Sequence, residues 1–286
     1  MELVFLVLVV FPAGLAAIHN FADVACGRRS ERRTAKVVGG EDAAEGEFPW
    51  LVSLTRRGAH FCGGSLITDR HVLSAGHCLC SGSSEIPAGQ IRVTLGQHVL
   101  SEESAEKFEV AVKSSTLHPD YTCGKVKNDL AILELERQVK WSDVVHPACL
   151  PAGLQEDGHN RFVDVLATVA GWGWTNENNN LGSRGDRLQK AKVNILEREQ
   201  CQRWFKSQGK KTKIQETQIC AGYEQGGIDS CWADSGGPLM TTSDSGEKII
   251  VVGVVSTGIG CARPSLPGIY TRVSDYIPWI RSVVKT

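Results

Sequence analysis

The chain of 286 residues has almost no surplus charge, with 31 Lys and Arg against 32 Asp and Glu and a formal net charge of −1. So balanced a composition lacks the electrostatic footprint of a nucleic-acid binder or of a protein held on an anionic membrane. There is no internal repeat, no coiled-coil heptad pattern and no N-x-Ser/Thr acceptor, and biased sequence is confined to Asn176–Asn180. Solenoid and coiled-coil architectures are thereby excluded. Long apolar runs are also scarce. The run at residues 3–17 is too short to span a bilayer and is interrupted by Pro12. It ends in small residues, which marks residues 1–17 as a secretory signal peptide, although Glu2 stands where a basic residue is usual. No second C-x-x-C and no clustered His pair at zinc-site spacing accompanies Cys78-x-Cys80. Neither a metal nor a cofactor is therefore expected.

What is present begins with ten cysteines, an even number behind a signal-like segment. That combination points to disulfides in an oxidising compartment and to a secreted, extracellular protein. Residues 18–36 are polar and strongly basic, with Arg28–Arg29, Arg32–Arg33 and Lys36, and read as a propeptide. Lys36 is followed by Val37–Val38–Gly39–Gly40, the pattern of a processing site whose cleavage frees a new α-amino group on Val37.

Beyond residue 40 come short runs of β type separated by turns, among them Trp50–Thr55, His60–Thr68, Ile91–Leu95, Phe108–Lys113 and Leu130–Leu135. Phe162–Ala170, Leu188–Leu196 and Lys248–Ser256 continue them in the second half. This spacing predicts an all-β sandwich or barrel. Helical periodicity is expected in the last stretch alone, where Tyr276, Ile277, Ile280, Val283 and Val284 share a face.

Three short stretches carry chemistry. Asp229–Ser230–Cys231–Trp232–Ala233–Asp234–Ser235–Gly236–Gly237–Pro238 sets a serine before two glycines. Glycines permit a sharp bend that exposes the Ser235 hydroxyl and turns successive N–H groups into one concavity, where an oxyanion can be held. A serine needs a base to become a nucleophile. His77, after the strand Val72–Ser74 and beside Cys78, has the side chain suited to proton transfer at neutral pH. Asp129 precedes an apolar strand, and a buried carboxylate facing that histidine would fix its tautomer and stabilise the imidazolium.

The order His77, Asp129, Ser235, with the local sequences VVGG (37–40), LSAGHC (73–78), NDLAIL (128–133), AGWG (170–173), DSCWADSGGP (229–238) and PGIYTRV (267–273), closely resembles the trypsin/chymotrypsin family of serine proteases. The resemblance covers residues 37–286. It implies two packed six-stranded antiparallel β-barrels with a C-terminal α-helix and the active site between the barrels. It implies a catalytic triad of His77, Asp129 and Ser235, with Ser256 capping Asp129 and the N–H groups of Ala233 and Ser235 forming the oxyanion hole. It places Asp229 at the base of the specificity pocket, with Ser230, Ser256, Gly258 and Gly268 also lining it, and so implies cleavage after Arg or Lys. It pairs Asp234 with the new amino terminus of Val37 once Lys36–Val37 is cut, which makes the uncut chain a zymogen.

Family positions also imply the disulfides Cys62–Cys78, Cys201–Cys220, Cys231–Cys261 and Cys26–Cys149, which leaves Cys80 with Cys123, a bridge most relatives lack. Cys26–Cys149 would keep the propeptide attached after cleavage, giving a monomer of two linked chains. The implied partners are protein or peptide substrates with Arg or Lys at the cut bond, protein protease inhibitors, and an activating trypsin-like protease or a second copy of the chain.

Several residues depart from the family pattern. Ala233 replaces a glycine in the oxyanion loop, Thr257 stands where tryptophan is usual, and Gln97 takes the place of a glutamate used by calcium-binding relatives. Trp232 falls at the rim of the pocket, and Lys206, Lys210, Lys211 and Lys213 make a basic loop. Ala233 keeps a second reading open, that of a non-catalytic or weakly active homologue acting as a binding or regulatory protein.

Overall fold

The computed structural model describes residues 25–28, 41–153, 158–159, 161–173, 185–227, 234–260 and 262–284. Two closed antiparallel barrels of six strands each make up the body. The first is built from β1 (Leu51–Arg56), β2 (Ala59–Leu66), β3 (His71–Ser74), β4 (Arg92–Leu95), β5 (Phe108–Leu117) and β6 (Ala131–Leu135). Its ring order is β1-β2-β3-β6-β5-β4, closed by pairing of β1 with β4. The second contains β7 (Leu166–Gly171), β8 (Gln189–Leu196), β9 (Gln218–Gly222), β10 (Pro238–Thr242), β11 (Ile249–Thr257) and β12 (Gly268–Arg272). It runs β8-β7-β10-β11-β12-β9 and closes where β9 meets β8. Closure leaves neither sheet with a free edge, which removes the commonest aggregation hazard of a β protein.

Side chains pointing inward fill each ring. Leu54, Val72, Val93, Val110 and Ile132 belong to the first core, and Ala167, Val193, Ile219, Leu239 and Tyr270 to the second. Trp50 and Trp172 are fully buried, and the Trp172 indole donates to the carbonyl of His98 at 3.1 Å, which ties the second barrel to the loop after β4.

Strand positions follow the alternation of the sequence to within a residue or two, with two larger differences. The run expected over Phe108–Lys113 continues to Leu117. The run expected from Phe162 begins its strand at Leu166. Asp164 has φ 62°, a left-handed conformation that no strand contains, so residues 161–164 form a turn that tucks Phe162 into the core.

The expectation of a single helix is corrected. The C-terminal helix α2 (Ile277–Val283) is preceded by α1 (Arg198–Ser207), which buries Cys201 and Phe205. Lys206 lies on this helix, so the basic loop proper carries Lys210, Lys211 and Lys213. Cys26–Cys149, Cys62–Cys78, Cys80–Cys123 and Cys201–Cys220 are bonded. The implied pair Cys231–Cys261 lies outside the described residues. Among the described residues no helix is long and apolar enough to cross a membrane.

Candidate active site

His77 sits in a single 3₁₀ turn, Gly76–Leu79, directly after β3. Asp129 stands two residues before β6, the strand that pairs with β3, so the ladder itself brings the two segments side by side. The joint is made twice. Asp129 Oδ1 accepts from the His77 backbone N–H at 2.8 Å, and Oδ2 lies 2.7 Å from Nδ1 of the ring. A carboxylate with 2% of its side chain exposed needs donors around it, and Ser256 supplies a third, its hydroxyl 2.5 Å from Oδ2. With Nδ1–H donating to Asp129, the lone pair of the ring rests on Nε2. The imidazole keeps 31% of its side chain exposed, so that nitrogen can reach a reactant.

The second barrel contributes more than Ser256. A bulge between Val255 and Thr257 in the β11–β12 pairing re-aims the chain where Ser256 turns toward Asp129. The Thr271 hydroxyl of β12 donates to the Asp129 carbonyl at 2.8 Å. The Tyr276 hydroxyl donates at 2.9 Å to Oδ1 of Asn128, a residue held at φ 54°. None of these last contacts follows from local sequence, since the partners are more than a hundred residues apart. Behind His77, the Tyr121 ring fills the space against Gly76, where a Cβ would come within 2.9 Å of it. Burial, with the Asp129 charge adding to it, pushes the Tyr121 phenol up to about 12, so it stays neutral throughout the physiological range.

Ser235 is fixed between the barrels through its backbone. Its carbonyl accepts from Gly63 N–H of β2 at 2.8 Å, and the next residue, Gly236, donates to Val255 of β11 at 2.9 Å. Gly63 neighbours Cys62, which is bonded to Cys78, and Cys78 adjoins His77. The Ser235 turn and His77 are thus linked through one disulfide and one backbone hydrogen bond. Gly236 must be glycine: its φ is 79°, and a Cβ there would lie 2.3 Å from the Ser74 hydroxyl. Sequence reasoning did not single out Gly63, Thr271 or Tyr276 as parts of this frame. The sulfurs of Cys62 and Cys78 lie with His77 in one cluster of potential metal donors, but bonded to each other they offer no thiolate.

Asp234 turns the other way, toward the second barrel, and its Oδ1 accepts from Gly173 N–H at 2.9 Å. The carboxylate fills the space above Gly171 and Gly173 so closely that a Cβ at Gly173 would stand 2.4 Å from Oδ2. Gly173→Ala is therefore expected to drive Asp234 from its seat. Because Ser235 is the next residue, we expect turnover to fall about 10²-fold, the scale of an ångström-sized misplacement of a reacting group. Steady-state kinetics beside a thermal unfolding curve checks this, and unchanged turnover would mean that the seat does not matter.

Of the expected pocket residues, Ser256 is at the end of β11, Gly258 is exposed just after it, and Gly268 opens β12. Asp229, Ser230, Ala233, Lys36 and Val37 lie outside the described residues. Gln97 donates to the carbonyls of Val99 and Leu100, both at 3.2 Å, so its amide closes its own loop.

Comparison with known proteins gives the same picture. Residues 37–280 match the family model described as Trypsin. The chain is 36% identical over 262 residues to serine proteinase stubble of Drosophila melanogaster, an alignment covering 89% of this chain and 32% of that protein. The chain thus spans about a third of the length of this relative.

Proposed function

The chain belongs to the trypsin family of serine proteases, and from that premise we propose that it is a secreted zymogen which, once cut between Lys36 and Val37, hydrolyses peptide bonds after Arg or Lys. The observation that carries the chemistry is the array of donors around Asp129, with Ser235 anchored on the adjoining strands. In this reading Ser235 Oγ attacks the peptide carbonyl while His77 Nε2 takes its proton, and Asp129 stabilises the imidazolium. The backbone N–H groups of Ala233 and Ser235 hold the oxyanion. His77 then returns the proton to the leaving amine, and the acyl-enzyme is opened by water with the same histidine as base.

The preference for Arg or Lys rests on Asp229, since a carboxylate at the base of a pocket favours a cationic side chain over an apolar one. Matched peptides differing only at the residue before the cut bond test it. Faster cleavage after Arg or Lys is expected, and faster cleavage after Phe or Leu would reject the assignment. Partners on this reading are such polypeptides, protein inhibitors that occupy the same cleft, and an activating trypsin-like protease or a second copy. Lys36→Gln is expected to yield a folded precursor without activity, because the amino group that pairs with Asp234 never forms. Full activity in that variant would refute activation at this bond.

Ala233 favours a second reading, a weakly active homologue that works by binding. Its Cβ narrows the backbone angles open to a glycine, and loss of one oxyanion donor costs about 10²–10³ in turnover. Ala233→Gly separates the two: little change means the hole is intact, and a rise of about that size means it is impaired.

A further inference from the structure

Next to the catalytic carboxylate lies a cationic surface that the triad does not use. Residues 121–127 and 202–214 contain no carboxylate, yet they carry Lys125, Lys127, Arg203, Lys206, Lys210, Lys211 and Lys213. Among the described residues none of these cations forms an ion pair. The two segments are joined by side-chain-to-backbone hydrogen bonds that run through Gln215 and Gln218. Gln218, which is 5% exposed, donates to the Val126 carbonyl at 3.2 Å and accepts from Gln215 N–H at 2.9 Å. Gln215 in turn donates from its amide to the Lys213 carbonyl at 3.2 Å. One hydrogen-bonded chain therefore runs from Lys213 to Val126, three residues before Asp129.

Both loops are tied to the body by hydrogen bonds or a disulfide. Gln202 of α1 donates to the Thr212 carbonyl at 2.6 Å and accepts from Ile214 N–H at 2.9 Å, leaving Lys211 and Lys213 exposed on either side of a pinned backbone. The other loop is tethered by the Cys80–Cys123 bridge at one end and by Asn128 at the other. Between them Lys125, Val126 and Lys127 are exposed, Val126 to 53%. Of the carboxylates flanking these segments, Glu216 stands 3.9 Å from Arg198 and Asp120 is exposed ahead of Tyr121.

We propose that the lysines of these two loops form a docking surface for an acidic stretch of the protein substrate, flanking the bond that is cut. The inference rests on the proposed protease activity. Unpaired ammonium groups on hydrogen-bonded loops attract carboxylates without the cost of ordering the loop backbone, and a polypeptide lying in the site must pass close to the loop that carries Asp129. A polysaccharide or an anionic membrane also offers negative charge, but neither is continuous with the group being cleaved.

The test compares five peptides sharing one Arg cleavage site: one without a flank, two with a flank of four Asp and Glu on one side or the other, and two with the same flanks made of Asn and Gln. The activated protein is expected to cleave one acidic-flanked peptide roughly three- to tenfold faster than its neutral twin at low ionic strength, from several exposed pairs of modest strength each. The advantage is expected to shrink toward unity at ~1 M salt, where the Debye length is about 3 Å. Lys211→Gln with Lys213→Gln, and separately Lys125→Gln with Lys127→Gln, should each remove part of it while leaving the unflanked peptide unaffected. Equal rates for acidic and neutral flanks, or an advantage that survives all four substitutions, overturns the proposal. Retention on heparin or on phosphatidylserine vesicles without any acidic-flank preference also overturns it, in favour of those polyanions. If the unflanked peptide is not cleaved at all, the protease reading has failed. The surface is then judged by anisotropy of the labelled acidic peptide on the Ser235→Ala protein, where binding no tighter than that of the neutral peptide rejects it.

Discussion

Asp129→Asn is expected to lower kcat by about 10⁴-fold with the fold intact, the magnitude known for the equivalent change in a Ser-His-Asp protease. The reason lies in the donors that converge on the carboxylate. Oδ1 meets the His77 N–H, and Oδ2 meets both the His77 ring and the Ser256 hydroxyl. A carboxylate accepts on both oxygens, whereas an amide can accept on only one. With the amide oxygen kept on the backbone N–H, the NH₂ group faces Nδ1 and forces the ring into the other tautomer. Nε2 then carries the proton and cannot act as base. With the amide turned over, the backbone N–H loses its acceptor. The volume hardly changes, so unfolding should move little. A pre-steady-state measurement of acylation, beside the unfolding transition, checks the prediction. A variant within tenfold of the parent would mean that Asp129 does not set the state of His77.

Asp229→Ser is the second large effect. On the proposed assignment the carboxylate meets the substrate cation inside a pocket, and breaking a buried pair from one side costs about 3–5 kcal/mol, or roughly 10²–10⁴ in kcat/KM. The loss should fall on Arg and Lys substrates alone. Cleavage after Phe or Leu should hold steady or rise, since no buried charge is then left without a partner. Ranking the four substrates on parent and variant gives the answer. A variant that still prefers Arg by the parent's margin would place the specificity determinant elsewhere.

Much of the architecture was readable because each strand buries one face against a closed core. Alternation located β1, β4, β6 and β8 to within a residue, and the five apolar positions near the C-terminus located α2. Helix α1 was not readable for a physical reason. Its buried stripe is only Cys201 and Phe205, and part of its anchorage is the covalent bond from Cys201 to Cys220, which periodicity does not register. The turn before β7 was misjudged because Phe162 is buried as a strand residue would be, while Asp164 breaks the backbone.

The site divides in the same way. His77, Asp129 and Ser235 each sit in a short stretch whose chemistry can be read locally, and Ser256 follows from the family pattern. The supporting contacts are of another kind. Thr271 to the Asp129 carbonyl spans 142 residues, and Tyr276 to Asn128 spans 148. Only closure of the second barrel against the first brings them together, and a threonine in a strand or a tyrosine in the 3₁₀ turn before the terminal helix carries no local mark of that role. Gly63 is similar: it reads as a strand glycine, and its N–H becomes meaningful only when the Ser235 carbonyl arrives 2.8 Å away.

The proposed peptide-bond hydrolysis requires the Ser235 hydroxyl to be activated by His77. Treating the protein, after cleavage at Lys36, with a fluorophosphonate and locating the adduct by mass spectrometry tests that dependence most directly. The account predicts one phosphonyl group, on Ser235, formed in the parent and lost in His77→Ala. Folded, cleaved protein that takes up no label, or takes it up equally without the histidine, would contradict it.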